Sequence, residues 1–282
     1  MQKYEIGIIG TGHMATKLLQ GWQRSGQQDV AVYGRNQQQV RSIQQQFQVS
    51  VCECLSQLWQ SATIVLVCVR PDQLADLCEE IRAQGDLKQV PEALVSVVAG
   101  VSLSWLDSQL PQPLSVFRAM PNLPVSQSQG VIGLLADPAV PSSLQIKVEG
   151  LFAQLGVCFQ VQSDKEIDLI TALAGSGPGY VYYFMEVLAD AAKSLGLTEV
   201  LAERITEQLV FGSAQLAQND PESVKALREK VCVPGGTTEQ GVLRLIDGKV
   251  DVAVKNAIAA AYEKAQEIAR QYQTADSQDS QQ

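Results

Sequence analysis

The chain has 282 residues, 46% of them hydrophobic and 18% charged, a globular composition with material for one large domain or two ordinary ones. Its net charge of −9 argues against nucleic acid as a partner, because an acidic surface repels phosphate backbones, and any anionic ligand must be held by local donors. The single histidine, His13, lies in a glycine loop, which leaves no basis for a Ser-His-Asp hydrolase or for a dehydrogenase that draws a histidine acid from its substrate domain.

In chain order, YEIGIIG reads as a short apolar strand that runs into TGHMA and then a helix with Leu18, Leu19 and Trp22 on its apolar face. DVAVYG is a second strand. Asn36 suits the N-cap of a helix whose apolar face is Val40, Ile43 and Phe47. The glutamines around these residues are a solvated helix face, since the apolar period is intact. TIVLVCV is apolar on both faces, as central parallel strands are. Pro71 and Asp72 start a helix carrying Leu74, Leu77, Cys78 and Ile81, and ALVSVVAG, SVFRAM and GVIGLLA read as further strands. This alternation predicts a Rossmann-like, doubly wound, mostly parallel α/β sheet.

The pattern changes near residue 160. Beyond it the sequence predicts helices over 164–174, 178–195, 199–218, 221–230, 238–247 and 250–273, with no strand. The expected organisation is a nucleotide-binding domain over 1–162, an all-α domain over 163–274 and a polar tail over 275–282. No positively charged apolar signal opens the chain, and no apolar run reaches the roughly 20 residues of a membrane span, so the cytoplasm is the expected location and a membrane is not an expected partner. Cys52, Cys54, Cys68, Cys78, Cys158 and Cys232 match no zinc or CxxC spacing and read as reduced thiols acting as small hydrophobes; no metal is expected.

Gly10-Thr11-Gly12-His13-Met14-Ala15 is a G-x-G-x-x-A element between a strand and a helix. The glycines permit a tight turn and close approach to a pyrophosphate, and the helix N-terminal amides supply the anion site. An NAD site usually places an acid at the end of the second strand. Here that position reads Tyr33-Gly34-Arg35-Asn36, with Asp29 at the other end of the strand. A guanidinium grips a 2′-phosphate in bidentate fashion, so Arg35 and Asn36 point to NADPH, with NADH as a weaker cofactor. His13 either lies beside the pyrophosphate or faces solvent, and carries no catalytic role.

GIIGTGHMA, CVRP, SVVAGVSL, RAMPN, LAGSGPGYVYYF and VPGGTT, in this order along nearly the whole chain, together resemble pyrroline-5-carboxylate reductase, the last enzyme of proline synthesis. The resemblance implies an NADPH-binding first domain and a helical domain that forms an intertwined homodimer, often assembled into a pentamer of dimers. It implies that Val69, Arg70 and Pro71 contact the cofactor, and that Ala99 and Gly100, with Met120, Pro121 and Asn122, line the nicotinamide side. It implies further that Thr238 bonds the ring nitrogen of a cyclic imine substrate while amides around Gly236 and Thr237 hold its carboxylate. The chemistry is compatible: an imine is basic enough to be protonated near neutral pH, so its reduction needs positioning and a hydroxyl partner rather than a strong acid.

Gly175-Ser176-Gly177-Pro178-Gly179 breaks and restarts a helix, with Pro178 at a plausible first helical position; it reads either as close packing at a helical dimer interface or as a loop facing substrate through Ser176. VCVPGGTTEQG, residues 231–241, reads as an anion-binding loop. Gly235 and Gly236 offer their amides as a nest, and Thr237 with Gln240 has capping-box spacing that puts Thr237 at the N-cap. Glu239 suits the helix dipole but repels a bound acid if it points inward. Departures from the family pattern fall at His13, Leu123, Gly179, Lys230, Cys232, Val233, Glu239 and Gln240. They keep open a paralogue acting on another cyclic imine, or a non-catalytic NADP-binding regulator. A ketopantoate-type dehydrogenase using Lys165 as its acid would leave GSGPG and PGGTT without a purpose.

Overall fold

The computed structural model describes residues 3–27, 29–83, 90–111 and 113–279. Its elements in chain order are β1 Tyr4–Ile9, α1 His13–Ser25, β2 Val30–Tyr33, α2 Gln37–Phe47, β3 Ser50–Val51, α3 Leu55–Ser61, β4 Ala62–Val67, α4 Leu74–Arg82, β5 Ala93–Ser96, α5 Leu103–Gln109, β6 Ser115–Pro121, β7 Gly130–Ala136, α6 Ser142–Ala153, β8 Gly156–Val161 and α7 Asp164–Ile170. They are followed by α8 Gly177–Ser194, α9 Glu199–Asn219, α10 Val224–Val231, α11 Thr237–Asp247 and α12 Val250–Asp279. The polar tail expected from residue 275 thus begins within α12; its last residues, 280–282, lie outside the described ones.

The strands form one eight-stranded sheet in the order β3-β2-β1-β4-β5-β6-β7-β8. Every pairing is parallel except β6 with β7. That exception follows from length: only residues 122–129 join the two strands, through a 3₁₀ turn at Leu123–Gln127, too few for a parallel crossover. The reversal of strand order between β1 and β4 is the switch point at which doubly wound sheets bind nucleotides.

Strand alternation sends successive side chains to opposite faces, so β1 places Ile6 and Ile8 on one face and Ile9 on the other. The first face is covered by α1, α2 and α6 through Leu18, Trp22, Ile43, Phe47 and Phe152. Trp22 is fully buried, and its indole N–H donates to the Leu151 carbonyl at 2.9 Å, which satisfies the one polar group that its burial would otherwise strand. The second face is covered by α3, α4, α5 and α7 through Leu58, Trp59, Leu77, Ile81, Leu106 and Ile167. The expected cap of α2 is in place: the Asn36 Oδ1 accepts from the N–H of Gln38 and Gln39 at 3.1 and 3.2 Å.

Two strands have no counterpart in the sequence reading. β3 has only two residues. In the edge strand β8, Val157 and Phe159 are each half exposed, so its apolar residues do not mark a buried face. The helix predicted from Pro71 instead opens with a 3₁₀ turn, Pro71–Gln73, before α4.

Contact density divides the chain into one unit of Met1–Ser176 with Ala261–Gln282 and a second of Gly177–Ala260. In the second unit α8 and α9 form a pair closed by residues 195–198, with Ala189, Ala202 and Thr206 buried. Yet Tyr183, Phe184, Leu188, Leu201, Ile205 and Phe211 remain exposed on these two helices. Among the described residues no helix is long and apolar enough to cross a membrane, and no cluster of His, Cys, Asp and Glu is arranged to hold a metal.

Candidate active site

A cleft is built on the end of β1. Gly10 has φ +109°, and a Cβ there would stand 2.5 Å from the Cys68 carbonyl oxygen; only glycine lets the turn pass over β4. Gly12 is the N-cap of α1 in extended geometry and brings no side chain to cap it. The first N–H groups of α1 therefore keep their capacity for an anion. A cavity of about 320 Å³ opens over this turn. It brings together the expected Gly10, Thr11, Gly12, Arg35, Asn36, Val69 and Arg70.

Sequence reasoning missed Tyr33, Gly34, Gln39, Cys68, Gln73 and Leu77 in the same lining. Their signal was position: they flank the motifs on strand ends and first helical turns. Gln39 earns its place by accepting from the Thr11 hydroxyl at 2.9 Å, which ties the glycine loop to α2. His13 and Met14 stand at the start of α1 outside this lining, and His13 is exposed. Pro71 begins the 3₁₀ turn, also outside it.

The Arg35 Nη2 reaches Glu80 at 3.1 Å. Arg70, which lines the same cleft, is clamped by Asp72 through Nε at 3.0 Å and Nη2 at 2.7 Å. Burial pushes the Tyr33 phenol above its usual pKa of 10.0, and the Glu80 carboxylate adds to the rise while Arg35 opposes it. Tyr33 is thus neutral at physiological pH and offers a hydroxyl to the cleft. Burial likewise pushes the Cys68 thiol up to about 12, so the cysteine beneath Gly10 is an inert wall rather than a nucleophile.

Further along the sheet, Ala99 and Gly100 form the turn after β5, with Ile268 of α12 packed over Gly100. Met120, Pro121 and Asn122 close β6, and the Met120 methyl lies against Gly175. The predicted break at Gly175–Gly179 is milder than expected. Residues Thr171–Gly175 form a π turn, closed by the Ser176 N–H on the Thr171 carbonyl at 2.9 Å, and α8 restarts at Gly177 with Pro178 second rather than first. Such π turns recur at functional sites because they re-aim a helix face without ending the helix. Ser176 is half buried at this junction. Lys165 is exposed on α7, outside these groups.

An ion cluster surrounds the buried Arg118. Arg118 on β6 is 5% exposed and contacts Asp164 directly and Asp168 at 3.9 Å. Asp164 also accepts from the Leu103 N–H at 3.1 Å. One guanidinium thereby joins β6 and α7, while Asp164 joins both to α5. Burial raises the Asp168 carboxyl above its ordinary 3.8; Arg118 opposes this and Asp164 adds to it.

In the helical unit the 231–241 loop differs from its expected design. The Gly236 N–H donates to the Val233 carbonyl at 2.9 Å, closing a turn with Pro234 and Gly235 at its centre. Gly235 sits at φ +76°, as a type II turn requires. Gly236 (φ −82°, ψ 165°) is the N-cap of α11, so Thr237 is already helical and the expected Thr237–Gln240 capping box does not form. The residue three beyond the true cap is Glu239, whose Oε2 accepts from the Gly235 N–H at 2.8 Å. Both glycine amides are therefore engaged within the loop. The donors left open at this helix end are the N–H groups of Thr237, Thr238 and Glu239, for which no acceptor is found among the described residues. The Thr238 hydroxyl is exposed beside them. Lys230 is paired with Glu222 at 2.7 Å.

Two family models match the chain: pyrroline-5-carboxylate reductase dimerisation over residues 164–268, and NADP oxidoreductase, coenzyme F420-dependent, over residues 5–100. A pyrroline-5-carboxylate reductase of Pseudomonas aeruginosa is 30% identical over 96% of this chain and 99% of its own length. Pyrroline-5-carboxylate reductase 3 of Macaca fascicularis is 32% identical over 94% of this chain and 96% of its own. Among solved structures, a pyrroline-5-carboxylate reductase from Coxiella burnetii superposes with a TM-score of 0.86 at 32% identity, covering 95% of this chain and 99% of that one. Sheet order, glycine turn, helical unit and near-full-length identity agree, and the chain belongs to the pyrroline-5-carboxylate reductase family.

Proposed function

We propose that the protein reduces the C=N bond of 1-pyrroline-5-carboxylate to give L-proline, with NADPH preferred over NADH. The observation that carries this reading is the start of α11, where the N–H groups of Thr237 and Thr238 are open and the Thr238 hydroxyl stands beside them. A carboxylate suits those amides, both for their hydrogen bonds and for the positive helix end.

The dinucleotide fits the first unit. Gly10 admits a pyrophosphate over its turn, the first amides of α1 are uncapped, and Arg35 takes the place of the acid that would hold an unphosphorylated ribose. When bound, the cofactor supplies a hydride from its nicotinamide ring. The chain's own residues have simpler tasks. Thr237 and Thr238 amides orient the substrate carboxylate. The Thr238 hydroxyl accepts from the protonated ring nitrogen, and so holds the positive character on nitrogen that makes its neighbouring carbon electrophilic. Ala99, Gly100 and Met120 would line the nicotinamide side of the bound cofactor, and Ser176 would serve the substrate side. No histidine acid is required, because the substrate carries its own proton.

The exposed apolar surface of α8 and α9 supports a homodimer formed by the helical unit, which we extend to a pentamer of dimers in a cytoplasmic enzyme. The purified protein should oxidise NADPH on addition of pyrroline-5-carboxylate and stay inert with 2-ketopantoate or simple 3-keto acids. NADPH binding without turnover on any imine would overturn this function in favour of a regulatory NADP-binding protein.

A further inference from the structure

We propose that Glu239 sets how tightly the protein holds the carboxylate of its substrate and its product, as a specificity-determining residue at the α11 N-terminus. The inference rests on the substrate site proposed above.

Three observations carry it. The Glu239 side chain folds back over the first turn, where its Oε2 accepts from the Gly235 N–H at 2.8 Å, and thus removes one amide from the set available to a ligand. It also leaves a negative charge at the helix end that must receive a second one. That charge is not neutralised locally: Arg228 lines the same hollow as Glu239, but its guanidinium is directed to Glu229 at 3.7 Å, and no cation lies within salt-bridge distance of Glu239 among the described residues. The protein's own carboxylate thus partly occupies the positive end of the α11 dipole that the ligand needs.

The consequence is symmetrical. Substrate and product both carry the carboxylate, so an internal carboxylate weakens the binding of both. Product release benefits as much as substrate capture suffers. A cyclic imine without the carboxylate is indifferent to the charge.

Glu239→Gln is the direct test, since a glutamine keeps the acceptor for Gly235 and removes only the charge. The Michaelis constant for pyrroline-5-carboxylate and the inhibition constant of proline should both fall about three- to ten-fold, the range of a single solvent-screened charge contact. The Michaelis constant for 1-pyrroline, the same ring without its carboxylate, should not move, and neither should NADPH affinity. Glu239→Ala, which also frees the Gly235 N–H, should move the two carboxylate-dependent constants in the same direction. Unchanged constants in both variants, or an equal change for 1-pyrroline, would overturn the proposal. Failure of the underlying substrate site shows itself separately: turnover would then be indifferent to Thr238→Ala, whatever Glu239→Gln does.

Discussion

The Asn122 side chain holds the Ala174 carbonyl: its Nδ2 donates across 3.0 Å, while its Oδ1 accepts from the Val131 N–H at 2.8 Å. One buried amide thus ties the end of β6 to β7 and to the π turn that leads to Ser176. The family resemblance placed Asn122 on the nicotinamide side, but both ends of its amide are engaged with backbone. Its evident work is to fix the geometry of the Met120–Pro121 wall. Asn122→Ala leaves a buried N–H and a buried C=O without partners and should cost about 2–4 kcal/mol of stability, read from denaturant midpoints. Asn122→Asp keeps the Val131 bond but sets a buried carboxylate oxygen against the Ala174 carbonyl, and should cost at least as much as Asn122→Ala at neutral pH.

The buried Arg118 cluster predicts a pH dependence with a definite sign. The folded-state pKa of Asp168 lies above its ordinary 3.8, chiefly through burial. The folded protein therefore binds this proton more tightly than the unfolded chain. The resulting stabilisation is complete below the ordinary value and is lost as pH rises through the folded one. Asp168→Asn removes that loss, so the melting temperature of the variant relative to the parent should climb as pH rises above the ordinary carboxyl value of 3.8. The opposite slope would mean that attraction to Arg118 outweighs burial.

Arg35 decides the coenzyme in this account. Arg35→Glu should raise the Michaelis constant for NADPH by about 10- to 100-fold, the cost of exchanging a charge-assisted phosphate contact for a repulsive one, with a much smaller change for NADH. Equal changes for both would remove Arg35 from the 2′-phosphate site.

Much of this was legible in the sequence. Strand–glycine–helix order around Gly10 fixed the sheet's nucleotide end, and the apolar spacing of Val40, Ile43 and Phe47 with Asn36 ahead of it gave both the face and the cap of α2. What escaped had a physical reason. β8 carries apolar residues on its exposed side, so alternation no longer reported burial. At the substrate loop the sequence offered Thr237 with Gln240 as a capping box. The turn that Pro234 and Gly235 impose instead makes Gly236 the last extended residue, so Thr237 falls inside the helix. The Arg118 cluster joins residues 46 apart in sequence, beyond the reach of any local pattern.

Thiol chemistry gives an independent check of burial. Cys68 and Cys158 are pushed up to about 12 and Cys78 to about 11, mainly by burial, whereas Cys54 is exposed. A thiolate-selective reagent on the native protein should label Cys54 first and spare Cys68 until unfolding. Early labelling of Cys68, detected by peptide mass spectrometry, would show that the floor of the cleft opens to solvent.

The proposed reaction is hydride transfer from NADPH to the carbon of a cyclic imine. The most direct measurement uses NADPH deuterated at the transferable position with pyrroline-5-carboxylate, and mass analysis of the product. The account predicts proline carrying one deuterium at the former imine carbon, formed at a turnover rate that Thr238→Ala depresses while NADPH affinity holds. Unlabelled proline, or no proline from a protein that binds NADPH, would contradict it.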